Sequence, residues 1–337
     1  MREIILELKE LCTHFFTDSG EIPAVDQVSL KVHKGEVVGI VGESGSGKSV
    51  ASLSVMQLIP QPPGKIIGGE ILFKGENLAN ASERKMKKIR GNEISMIFQE
   101  PMTSLNPLFT IGNQMQEAIR LHQKISKKAA LQQAAQMLKT VGIPRAEEII
   151  KEYPHQLSGG MRQRVMIAMA MSTEPKLLIA DEPTTALDVT IQAQILDLMK
   201  KINHEKNTSI LLITHDLGVV ADICDRVVVM YSGQVVEQGT KREILKDPQH
   251  PYSQGLIRSL PKLHGQDKKL YSIPGTVARP KINQTGCRFA PRCEFAFERC
   301  FKEKPVLYDL ENGRKSRCFL HADKEGERLE DAAITRG

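Results

Sequence analysis

The sequence predicts an α/β fold built on a parallel sheet, followed by a small irregular extension. Three observations carry this. Residues 42–49, Gly-Glu-Ser-Gly-Ser-Gly-Lys-Ser, form a complete G-x-x-x-x-G-K-[ST] phosphate loop. It lies between an apolar strand pattern at 36–41 and a helix-like run at 50–56. Residues 177–180 and 210–213 are continuous apolar runs, as expected of strands buried on both faces. Beyond residue 245 the periodicity is lost, prolines recur, and four of the six cysteines gather.

Taken in order, residues 4–8 and 28–32 read as β-strands, and Lys34-Gly35 marks a turn into the strand that feeds the phosphate loop. Residues 69–73 and 94–98 are again β-like. Residues 117–138 are dominated by Ala, Gln, Leu and Lys and predict a helical insertion. The parallel-sheet pattern then resumes. Residues 227–230 and 234–237 predict a hairpin across Ser232-Gly233. There is no internal repeat and no low-complexity segment.

The 337 residues suffice for one large domain and a smaller one, and the 41% hydrophobic content is ordinary for a packed core. Part of the net charge of +6 lies in a basic run at 83–90. No aromatics are interleaved there for base stacking, so the run reads as a solvated helix face. No stretch reaches the roughly 20 apolar residues that span a bilayer. Residues 1–7 turn polar too quickly for a signal peptide, which gives the expectation of a cytosolic chain. Six cysteines in that setting point to free thiols or metal ligands.

The phosphate loop fixes the chemistry. Its glycines, Gly42, Gly45 and Gly47, let main-chain N–H groups close around phosphate oxygens, with Ser44, Ser46 and Val50 completing the wrap. Lys48 is placed for the β- and γ-phosphates and the Ser49 hydroxyl for Mg²⁺. Asp181 ends an apolar strand, where it can hold Mg²⁺ through water, and Glu182 follows where a carboxylate can orient an attacking water. Ser158, Gly159 and Gly160 precede a second helical run, a further N-terminus suited to an anion. Two phosphate-type sites for one nucleotide suggest that one is donated across a dimer.

The phosphate loop, Gln99, Leu157-Ser158-Gly159-Gly160, Asp181-Glu182 and His215 resemble, in order and spacing, the ATP-binding cassettes of ABC transporters over about residues 1–245. The resemblance implies a P-loop ABC ATPase cassette: a RecA-like core with a β-subdomain and a helical subdomain at about 100–165. It implies ATP and Mg²⁺ as ligands and head-to-tail pairing with a second cassette, a copy or a paralogue. Gln99 then matches the Q-loop glutamine near Mg²⁺, His215 the switch histidine, and Ala186-Leu187-Asp188 the D-loop. Lys48, Glu182 and His215 would be the catalytic residues. The family's adenine-stacking aromatic is commonly a Tyr; here His14-Phe15-Phe16 stands in that region, with Phe15 chosen and His14 and Phe16 open.

Residues 99–107, His250-Pro251-Tyr252 and 286–293 resemble the dipeptide/oligopeptide importer branch of that family. That implies a cassette domain at 1–245 and an importer-type extension at 246–337. It also implies membrane permease subunits as partners, an extracytoplasmic binding protein indirectly, a peripheral place on the cytoplasmic face of the membrane, and no nucleic acid. A soluble relative acting on nucleic acid or ribosomes is the alternative, but the gap from Gln99 to Ser158 is too short for the coiled-coil arm such proteins carry. A phosphate-loop kinase has no use for Leu-Ser-Gly-Gly.

Cys287, Cys293, Cys300 and Cys318 are spaced C-x5-C-x6-C-x17-C. Four thiolates can hold tetrahedral zinc or a [4Fe–4S] cluster, and this spacing matches neither the tight zinc pair nor the ferredoxin run. The family resemblance points to [4Fe–4S], with Zn²⁺ and free thiols as alternatives. Arg288, Arg292, Arg299 and Arg317 are expected to offset thiolate charge. Since the catalytic residues all precede 220, a cluster in the extension is expected to be structural or regulatory and not needed for ATP chemistry. Cys12 and Cys224 read as buried structural thiols.

Overall fold

A computed structural model describes residues 2–99, 104–185, 187–260 and 271–322. In chain order the strands are β1 (Ile4–Thr17), β2 (Gly20–His33), β3 (Val37–Val41), β4 (Gly64–Phe73), β5 (Glu76–Asn77), β6 (Ile94–Ile97), β7 (Leu177–Asp181), β8 (Ser209–Ile213), β9 (Arg226–Tyr231), β10 (Gln234–Thr240), β11 (Tyr308–Asp309) and β12 (Lys315–Ser316). The chain divides into two compact units. One comprises Met1–Leu6, Lys31–Val37 and Leu72–Ile213; the other comprises Glu7–Leu30, Val38–Ile71 and Thr214–Gly337.

In the first unit β6, β7 and β8 pair in parallel, with Ile94 opposite Leu177 and Leu177 opposite Ser209. Every residue of β7 and β8 is buried, which is why both read as unbroken apolar runs. The helical insertion appears as Ile111–His122 and Lys127–Thr140. Ile111, Met115 and Ile119 line the buried face of the first, and Ala130, Ala134 and Leu138 that of the second. Each begins at a hydroxyl cap, Thr110 and Ser126, whose side-chain oxygen accepts an N–H three residues on. The basic run lies mainly in the helix Glu83–Ile89, which buries Met86 and Ile89. Arg90, just past the helix, is paired with Glu83. It is a solvated face, as its composition suggested.

In the second unit β1 is flanked by β2 and β4. β3 runs parallel to β9, with Ile40 opposite Val228, and leads into the helix Lys48–Val55. β9 and β10 form the expected antiparallel hairpin. Its two turn residues, Ser232 and Gly233, have φ of 46° and 85°, the left-handed pair of a tight hairpin turn. The extension is irregular, as its composition suggests, with only short elements. The helix Pro251–Arg258 starts with proline in its first turn, and β12 pairs antiparallel with β10, placing Ser316 opposite Glu237. Among the described residues no helix is long and apolar enough to cross a membrane.

Candidate functional site

The phosphate loop hangs between β3, buried throughout, and the helix Lys48–Val55. Two glycines are dictated by geometry. Gly47 has φ of 100°, and a Cβ there would stand 2.4 Å from the Ala24 carbonyl. Gly42 has φ of 152°, and a Cβ would meet the Met230 carbonyl at 2.2 Å. Lys48 is only 6% exposed and folds back over its own loop. Its ammonium donates to the carbonyls of Gly42 at 2.8 Å and Glu43 at 3.0 Å. The cation is thus held inside the loop, where a polyphosphate would meet it. Ser46, fully buried, is fixed from the other side, its carbonyl accepting the Gly233 N–H.

This unit also holds His215 and the aromatic candidates. His215 is exposed, just past β8 and before the cap Asp216, whose Oδ1 accepts the N–H groups of Gly218 and Val219. His14 is buried, with Nδ1 2.6 Å from Glu21 Oε1. Phe15 is half-buried at the end of β1 and Phe16 is 49% exposed.

The first unit carries the carboxylate residues. Asp181 is buried at the end of β7. Glu182 follows with φ of 48°, a left-handed conformation unfavourable for a non-glycine residue, pinned by its N–H donating to Ile213 O at 2.8 Å. Gln99 Nε2 donates to Glu182 Oε2 at 3.1 Å, so two residues 83 positions apart in sequence are brought together. Thr185 Oγ1 donates to the same oxygen at 2.9 Å. Sequence reasoning missed Thr185, which lies in the turn after Glu182. Ser158 is exposed and caps the helix Gly159–Met171, its Oγ accepting Met161 N–H. Gly159 faces open space, whereas a Cβ on Gly160 would press on Ile191. Asp188 caps the next helix through Ile191 N–H. Ala186 of the expected D-loop, and residues 100–103 of the expected Q-loop stretch, lie outside the described residues.

Residues 25–185 match the family described as ABC transporter, and residues 236–300 the oligopeptide/dipeptide transporter C-terminal region. The oligopeptide transport ATP-binding protein AppD of Bacillus subtilis is 55% identical over 96% of this chain and 98% of its own. The dipeptide transport ATP-binding protein DppD of Escherichia coli is 49% identical over 96% and 98%. The chain belongs to the ABC transporter ATP-binding family. A solved dimeric ATP-binding cassette, in a post-hydrolysis state with ADP and Pi, superposes with a TM-score of 0.64 at 29% identity, covering 70% of this chain and 99% of that one. As a member of that family this ATP-binding subunit uses ATP with Mg²⁺ and hydrolyses it.

The extension of this ABC subunit departs from the sequence expectation in two respects. All four of its cysteines line one small cavity of about 20 Å³, walled also by Phe289, Phe295, Phe297 and Phe319. Yet among the described residues no group of three or more His, Cys, Asp or Glu is gathered as a metal ion requires. The metal ligands named from the sequence therefore do not form an ion site, although they are the right donors in the right number. Burial pushes the Cys287 and Cys293 thiols up, and Cys318 up to about 12.

The arginines are also placed differently from the charge-offset role expected of them. Arg288 pairs with Asp26, Arg292 with Glu43 and Arg299 with Glu303. Arg317 Nε donates to the Val235 carbonyl, and its charge offsets a little of the rise that burial imposes on Cys287. Of the remaining cysteines, Cys224 is buried, its thiol raised to about 12 by desolvation. Cys12 is only half-buried, and its sulfur accepts the Gln27 N–H.

Proposed function

We propose that this chain is the ATP-hydrolysing subunit of an importer of dipeptides or oligopeptides, peripheral on the cytoplasmic face of the membrane. Its near-full-length likeness to peptide importer subunits carries this reading. A cassette domain at 1–245, with its helical subdomain at about 100–165, would do the chemistry, and the extension at 246–337 would mark the importer branch. A second cassette, a copy or a paralogue, would pair head to tail with this one, and permease subunits would be moved by the cycle. An extracytoplasmic binding protein would deliver cargo to those permeases.

In this reading the loop residues Gly42, Ser44, Gly45, Ser46, Gly47, Lys48 and Val50 bind the phosphates. Ser49, Gln99 and Asp181 hold Mg²⁺. Glu182 orients the attacking water, steadied by the amide of Gln99 and the hydroxyl of Thr185 on one of its oxygens. His215 senses the γ-phosphate. Ser158, Gly159 and Gly160 act on the partner's nucleotide, a role supported by the exposure of Ser158 and Gly159 and by the open space before Gly159. Phe15 stacks on adenine, with Phe16 the alternative; the engagement of His14 with Glu21 favours the phenyl rings.

The test is a pair of variants assayed for MgATP binding and phosphate release. Glu182→Gln should bind MgATP and turn over at least about 100-fold slower, the span of a lost general base. Lys48→Ala should instead lose nucleotide binding. Wild-type turnover by Glu182→Gln would refute the assignment of roles, and MgATP binding by neither wild type nor variants would refute the function.

For the four cysteines we propose a [4Fe–4S] cluster, with Zn²⁺ the alternative. Their convergence on one phenylalanine-walled cavity supports it. A single tetrahedral zinc needs its sulfurs about 3.8 Å apart, given bonds of roughly 2.3 Å, whereas a four-iron cluster spreads its thiolates over separate irons. Thiols raised by burial give up their protons to a metal less readily at low pH, so loading should fall as pH is lowered. When bound, the cluster would tie the loops of the extension together. Brown protein with about four irons per chain after anaerobic purification, bleached by Cys293→Ser, is the expected result. Stoichiometric zinc without iron, or no metal at all, would overturn it.

A further inference from the structure

The phosphate loop contains a carboxylate, Glu43, directly after Gly42. An anion-binding loop gains nothing from a negative side chain, since Coulomb repulsion with a polyphosphate is strong wherever water is partly excluded. The structure shows what answers it. Arg292 of the extension is buried, its side chain 5% exposed, and grips Glu43 with both ends of its guanidinium. Nη1 donates to Oε2 at 2.8 Å and Nη2 to Oε1 at 3.0 Å. The guanidinium is itself held: Nε donates to the Pro274 carbonyl at 2.7 Å, and the cation lies 5.7 Å from the centre of the Tyr231 ring. The Glu43 N–H is held by the hydroxyl oxygen of buried Tyr252 at 2.8 Å, so two residues of the extension grip one residue of the loop.

Arg288 acts in parallel beside the loop. It donates to the Ser232 carbonyl and to Asp26, and the Gly233 N–H of that same turn donates to the carbonyl of Ser46. The loop is therefore braced from outside the cassette segment at two points.

We propose that Arg292 is a positioning residue for nucleotide binding. By neutralising Glu43 and turning it toward the extension, it keeps the carboxylate away from incoming phosphates and leaves Lys48 to the loop carbonyls and to the nucleotide. The proposal rests on residues 42–49 being the nucleotide loop.

The experiment is a double-substitution cycle on the full-length protein, with MgATP affinity read by equilibrium titration. Wild type is measured first; if it does not bind MgATP, the functional reading fails and not this one. Arg292→Gln should weaken binding by about tenfold, the effect of a modest electrostatic penalty. Glu43→Gln alone is measured as the fourth corner of the cycle. Adding Glu43→Gln to Arg292→Gln should restore most of the loss, because no charge is then left to neutralise. The deficit of Arg292→Gln should also shrink as KCl is raised, since screening weakens the repulsion of a partly exposed carboxylate. A purely structural Arg292 would show neither rescue nor salt dependence. Wild-type affinity in Arg292→Gln, or a double variant as weak as Arg292→Gln, overturns the proposal.

Discussion

The amide of Gln99 donates a 3.1 Å hydrogen bond to Glu182, joining the residue two positions past β6 to the one that follows β7. Thr185 reaches the same carboxylate oxygen, so two neutral donors steady that side of Glu182. Loss of one donor should loosen the carboxylate without removing it. Thr185→Val is expected to lower turnover by roughly tenfold while MgATP affinity stays within twofold. Phosphate release and nucleotide titration on one preparation decide this; a loss of affinity matching the loss of turnover would mean that Thr185 shapes the binding site instead.

Ser158 sits at an exposed helix start and Gly159 faces open space. If they serve a partner's nucleotide, Ser158→Arg should abolish hydrolysis and leave the affinity of the monomer for ATP nearly intact. Mixing it with a Lys48→Ala chain tests the same geometry: one of the two sites in the mixed dimer combines an intact phosphate loop with an intact Ser158, and some activity should return. No recovery on mixing, with a large loss of affinity in the monomer, would place these residues in their own chain's site.

Gly47 combines a φ of 100° with a carbonyl 2.4 Å from where a Cβ would stand. Gly47→Ala should therefore displace the loop. The expected outcome is loss of MgATP binding by at least about tenfold and a destabilisation of about 1–3 kcal/mol. Thermal melts with and without MgATP report both, and a ligand-induced rise in Tm equal to that of wild type would show that the loop tolerates the side chain.

His250 is fully buried, and its Nδ1 accepts the Tyr252 N–H. Burial, only partly offset by the hydrogen bond to the Arg317 backbone, lowers its pKa to about 3 from the ordinary histidine value near 6.5. The unfolded chain therefore takes up this proton first, and stability is lost as pH falls from 6.5 towards 3. Between pH 7 and 5 the loss reaches about 2 kcal/mol for one such group. Glu237, raised by burial, works in the opposite sense in the acid range. His250→Asn keeps a capping acceptor and removes the titration. Urea unfolding at pH 7 and pH 5 should show the wild-type drop shrinking in this variant; an equal drop in both would place the acid sensitivity elsewhere.

The cassette was legible because its signals are local. Lys48 and Ser49 close a motif that only a strand–loop–helix can use, and the apolar runs at 177–180 and 210–213 leave few options but buried strands. Ser232-Gly233 announced its turn by type. The extension was not legible in the same way. Arg292 and Glu43 are 249 positions apart, and a flanking arginine beside a cysteine reads as its counter-ion until the fold shows a better partner. Thr185 escaped for a related reason: the second of two threonines after Asp181-Glu182-Pro183 has no periodic context. β12 is two residues long, too short to rise above the surrounding loop in any pattern of hydropathy.

That short strand nevertheless has a use as a guard. β12 and the following Arg317 occupy the open side of β10, with Ser316 opposite Glu237 and the Arg317 N–H on the Val236 carbonyl. Without them, the unpaired N–H and C=O groups of β10 would stand at the margin of the sheet, a template for pairing with another chain. A cassette cut at residue 245 would therefore be sticky as well as shorter. The extension that braces the nucleotide loop on one side keeps the sheet from adding strands on the other.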